Sequence, residues 1–81
     1  MMNEERTVRL VLTSLRTDCT VSFEPEGAEH QLPENHHFTV EISGVGSGVV
    51  EVAFQPTGIA IVAWDRAQTR AWDREGRALQ V

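Results

Sequence analysis

Apolar and polar residues alternate along most of this chain. Val8, Leu10 and Leu12 interleave with Thr7, Arg9, Val11 and Thr13, and Val21 and Phe23 with Thr20, Ser22 and Glu24. Phe38, Val40 and Ile42 interleave with His37, Thr39, Glu41 and Ser43, and Val50, Val52 and Phe54 with Val49, Glu51 and Ala53. A period of two sends successive side chains to opposite faces of an extended backbone, so each stretch predicts a strand with one apolar face. Ile59 to Trp64 is apolar on both faces, which predicts a central strand covered twice. Leu12 and Leu15 fall at helical spacing, but the β-branched Thr7, Val8, Val11 and Thr13 and the cleaner alternation favour a strand there too.

Turn signals separate these stretches. Glu24-Pro25-Glu26-Gly27, Gln55-Pro56-Thr57-Gly58 and Asp73-Arg74-Glu75-Gly76 each end in glycine, which closes a bulged hairpin in the left-handed conformation. Leu32-Pro33-Glu34-Asn35 offers asparagine at that position. Gly44-Val45-Gly46-Ser47-Gly48 reads as a longer, flexible connection. The pattern predicts an all-β fold: a small antiparallel β-sandwich or a partly closed β-barrel of about six or seven strands joined by tight turns. Residues 1–6 are expected to be frayed and residues 7–81 to form a single domain.

A hairpin at Gln55–Gly58 pairs Phe54 with Ile59, Val52 with Ile61 and Val50 with Ala63 on an inner face. It leaves Ala53 with Ala60, Glu51 with Val62 and Val49 with Trp64 outside. The expected core is Val21, Phe23, Phe38, Val40, Ile42, Val50, Val52, Phe54, Ile59 and Ile61. The Asp73–Gly76 turn sets Trp72 near Arg77 and Ala71 near Ala78, placing Arg70, Trp72, Arg77 and Leu79 on one side.

The order Phe23-Glu24-Pro25-Glu26-Gly27, Leu32-Pro33, Phe38-Thr39-Val40, Val50-Glu51-Val52, Ile61-Val62-Ala63-Trp64 and Gly76-Arg77-Ala78-Leu79 resembles a group of short, uncharacterised bacterial all-β proteins. The resemblance covers most of the chain and implies a fold without an activity. Gly27, Leu32-Pro33 and Phe38 also stand at a spacing similar to cupin-like jelly rolls, but the metal-binding histidine cluster of that family is missing.

At 81 residues the chain makes one domain, which buries about 60–65% of its unfolded surface. A single cysteine, Cys19, leaves the fold to stand on its apolar core and fits a reducing, cytoplasmic setting. The polar first residues lack the apolar stretch of a signal peptide, and no apolar run is long enough to span a bilayer, so no membrane association is expected. The net charge is −5, and between Thr17 and Asp65 there are acids but no arginine. An acidic middle lacks the basic footprint that phosphate backbones need, so no nucleic-acid partner is expected.

The chemistry-bearing residues converge weakly. His30, His36 and His37 lie close in sequence beside Glu29, Glu34 and Glu41, but adjacent residues of a strand face opposite ways, so His36 and His37 do not share a metal there. No serine occupies a nucleophile elbow, and the glycine-rich stretch lacks the lysine of a phosphate-binding loop. No catalytic, cofactor-binding or metal-binding residue is assigned, and an enzyme is not expected. Interaction hot spots favour tryptophan and arginine. The candidate surface is Val49, Val62, Trp64, Arg66, Arg70 and Trp72, with a protein partner or a second copy as its occupant. Two outcomes are open for Trp64: burial within the monomer, by closure into a barrel or under the terminal segment from Thr69 to Val81, or exposure until association. The alternative function is a small-ligand or metal-binding β-barrel, or a small hydrolase, using the His30–His37 region.

Overall fold

The computed structural model describes residues 4–81, and every described element is a strand. The strands are β1 (Glu5–Thr13), β2 (Cys19–Glu24), β3 (Ala28–Leu32), β4 (His37–Val45), β5 (Glu51–Gln55), β6 (Gly58–Val62), β7 (Gln68–Trp72) and β8 (Ala78–Leu79). They form two four-stranded sheets, ordered β1-β4-β7-β8 and β3-β2-β6-β5, which pack as an open sandwich and do not close into a barrel. Among the described residues no helix is long and apolar enough to cross a membrane. β1 starts at Glu5, inside the segment expected to fray, with Glu5 and Arg6 paired to Val45 and Gly44.

Alternation decides which side chains meet between the sheets. Phe38, Val40 and Ile42 of β4 are buried, and so are Val21 and Phe23 of β2 and Ile61 of β6. Leu32, Trp64 and Ala71 complete the buried cluster, and Val8, Leu10 and Leu12 pack against it half-buried. β3 escapes the sequence pattern because Glu29, His30 and Gln31 dilute its alternation. His30 fills an inward position there, its ring edge-on to Phe23 at 6.1 Å and to Phe38 at 6.4 Å. Its Nε2–H donates to the Gln80 carbonyl at 2.7 Å, which ties the C-terminal segment to β3.

Pairing is antiparallel throughout except between β2 and β6, which run parallel with Thr20 opposite Gly58 and Phe23 opposite Ile61. Gly58 serves this pairing by its lack of a side chain rather than by a left-handed backbone. A Cβ placed on it would collide with the Thr20 carbonyl. Gly27 and Gly76 do take the left-handed conformation expected of them, with φ of 85° and 84°.

Two loops depart from the sequence reading. The glycine-rich connection is not a loose linker, because β4 runs into it as far as Val45. Gly46 packs so closely on Trp64 that a Cβ there would lie 2.5 Å from Cδ1, and its carbonyl accepts from Arg6 Nε at 3.1 Å. The β7–β8 ladder pairs Trp72 with Ala78 and Ala71 with Leu79, one residue beyond the expected register. Asp73 causes the shift: its Oδ1 accepts from the amides of Glu75 and Arg77, each at 2.9 Å, and this holds Asp73 to Arg77 as a closed loop. Leu79 consequently packs against the core, while Arg70 and Trp72 stay on the outer face.

The Arg77 amide holds the Asp73 carboxyl below the usual aspartate range; desolvation opposes it, and the Glu75 amide and the Arg77 and Arg74 charges add to the lowering. A carboxyl whose folded pKa lies below its unfolded value stabilises above the unfolded value and loses that effect as pH falls through the folded one. Acidification from about pH 4 downward should therefore open this loop. Faster exchange of the Gly76 and Arg77 amides would report the opening, and Asp73→Asn should remove its pH dependence.

Candidate functional site

The surface anticipated around the tryptophans divides into separate places. Trp64 is 9% exposed and belongs to the core, its Nε1–H donating to the Val45 carbonyl at 3.3 Å. It presents no binding face, because β6 ends at Val62 and the following residues carry the indole against Gly46. Val62 is half-buried opposite Glu51, Arg66 is exposed in the β6–β7 loop, and Val49 is exposed ahead of β5. Arg70 and Trp72 lie on the outer face of the other sheet.

On that face the half-buried Trp72 borders a shallow concavity of about 390 Å³ with Arg9, His37, Thr39, Asp73 and Arg74. Its guanidinium groups are already engaged, Arg9 with Glu41 at 3.1 Å and Arg74 with Glu75 at 3.2 Å. Among the described residues no three or more His, Cys, Asp or Glu side chains gather as a metal site. His30 is seated between Phe23 and Phe38 and bonded to Gln80, away from the outer face that His37 shares with Trp72.

The unexplained apolar surface lies on β5. Its register is the expected one, with Phe54 opposite Ile59 and Val52 opposite Ile61. Yet Phe54 is 86% exposed and Val52 41%, whereas both were expected in the core. Val50 and Ile59, also expected there, are half-buried at its rim. The offset between the sheets is the reason. The His30–Gln80 bond brings β3 against the β8 end of the other sheet, and Phe23 shares a concavity with Ala67 to Arg70 and Val81. β5, at the opposite edge of its sheet, extends past its cover and leaves its inward face bare.

The backbone of β5 is equally open. Gln55 and Gly58 flank a two-residue turn and exchange hydrogen bonds with each other, so by antiparallel alternation Ala53 and Glu51 also bond inward to β6. The amides and carbonyls of Val52 and Phe54 therefore point out from the last strand of the sheet.

Proteins usually blunt such edges with charges, proline, bulges or covering segments. β1 carries Glu5, Arg6 and Arg9, β3 carries Glu29 and is tied to Gln80, and β8 has only two residues. β5 has Glu51 as its single charge and no proline. Fold and site together define a small open-edged β-sandwich with one unprotected apolar strand. No protein-family model, curated protein or solved structure matches the chain.

Proposed function

We propose that this protein is a non-enzymatic interaction module that binds an extended segment of protein chain along β5. The exposure of Phe54 carries this reading: a phenylalanine 86% in solvent, on a strand whose neighbouring backbone groups lack partners in the sheet, is a template for strand addition. Backbone hydrogen bonds supply affinity in that mode, and alternate side chains supply selectivity. The lone thiol of Cys19 fits a cytoplasmic setting. A ligand or metal site in the His30–His37 region is less well supported, since His30 is engaged in packing and His37 faces a different surface.

The probe is a capped hexapeptide of alternating threonine and valine, followed by amide exchange in the labelled protein. Binding should slow exchange at Val52 and Phe54. Phe54→Lys should abolish that protection while changing stability by no more than about 0.5 kcal/mol, as for a surface substitution. Unchanged exchange at Val52 and Phe54 with saturating peptide would overturn the proposal.

A further inference from the structure

We infer that the occupant of β5 is β5 of a second copy of this chain, paired antiparallel about a two-fold axis through Ala53. This rests on the strand-addition reading and goes further by naming the partner and the register. Only outward-facing backbone groups can bond across the edge, so Val52 and Phe54 must each meet an outward-facing residue of the other copy.

Three two-fold registers satisfy that phase near the strand. Opposing Phe54 to Phe54 sets Val52 against Pro56, which has no amide to donate. Opposing Val52 to Val52 pairs Phe54 with Val50, outside the strand. Opposing Val52 to Phe54 uses all five residues of both strands, gives reciprocal hydrogen bonds and sets each aromatic ring beside a β-branched side chain.

The charges agree with this register. Glu51 lies opposite Gln55, and the two Glu51 side chains stand at opposite ends of the contact. A strongly charged peptide would find one carboxylate on this strand and nothing else to pair with, whereas β5 is complementary to itself. Such a self-matching patch is what a closed two-fold dimer requires. The result is one continuous eight-stranded sheet with the bare Val52 and Phe54 side chains of both copies adjoining on the same face. A contact five residues long belongs with the weak, concentration-dependent interfaces.

Light scattering from micromolar to millimolar protein should show a monomer becoming a dimer, with Phe54→Lys weakening the association at least tenfold. Ala53→Cys in a Cys19→Ala background tests the register. Residues opposed at a non-hydrogen-bonded position lie about 4.5 Å apart at Cα, within disulfide reach. Mild oxidation should link Ala53→Cys into a covalent dimer and leave Glu51→Cys monomeric. A monomer at every concentration, a dimer indifferent to Phe54→Lys, or linkage through Glu51→Cys in preference to Ala53→Cys would each overturn the inference. If the chain stays monomeric while the threonine–valine peptide still protects Val52 and Phe54, only the second-copy assignment fails. If neither association occurs, strand addition fails with it.

Discussion

Trp64→Ala should destabilise the fold by about 3–5 kcal/mol, the usual cost of removing a large buried aromatic side chain. A domain of 81 residues commands on the order of 4–12 kcal/mol in all, so the variant should sit at or near unfolding at room temperature. Three losses combine. The indole leaves a hole in the buried cluster, the Val45 carbonyl loses the Nε1–H donor at 3.3 Å, and Gly46 loses the ring against which it packs. Trp64→Phe separates the contributions, since it keeps most of the apolar contact and removes the donor. Urea unfolding followed by circular dichroism measures both variants. A Trp64→Ala midpoint equal to the parent's would show that the residue is not part of the core.

Phe38→Ala should cost a similar amount, roughly 3–5 kcal/mol, with a more localised signature. Phe38 is buried on β4 opposite Leu12 of β1, and its ring stands edge-on to His30. Removing it takes away one of the two aromatic rings that hold the imidazole and loosens the seat from which His30 bonds Gln80. Beyond a lowered denaturation midpoint, amides after β8 should therefore exchange faster than those of the β5–β6 hairpin. A uniform response across the chain would argue against a special link between Phe38 and the C-terminal segment.

Period-two alternation reveals β1, β2, β4 and β5, and local turn chemistry reveals the β5–β6 register, because both are set by near neighbours. Val52 and Phe54 show why the candidate site was harder to read. Their alternation is the same as that of Val40 and Ile42, and nothing within β5 says that its sheet extends past its cover. Burial at that distance depends on how two sheets are offset, which rests on contacts such as His30 with Gln80 across the whole chain. Trp64, for which burial and exposure were both open, is the converse case and is buried. Ala60, Val62 and Trp64 suggested an apolar outer face, but β6 stops at Val62, and a glycine that reads as linker forms the indole's seat. Asp73 moved a register by one residue through two side-chain bonds that a four-residue turn motif does not encode.

The parallel joining of β2 to β6 also bears on how the chain reaches this state. Hairpins such as β5–β6 close over a few residues, whereas setting Thr20 beside Gly58 requires a long loop to close first, and such non-local pairings form slowly. Until β6 docks, the early hairpin has two free edges, one on β5 and one on β6. Refolding is then a race between first-order docking of β6 onto β2 and second-order capture of the same edge by another chain, so the yield of native protein falls as the chains are crowded together.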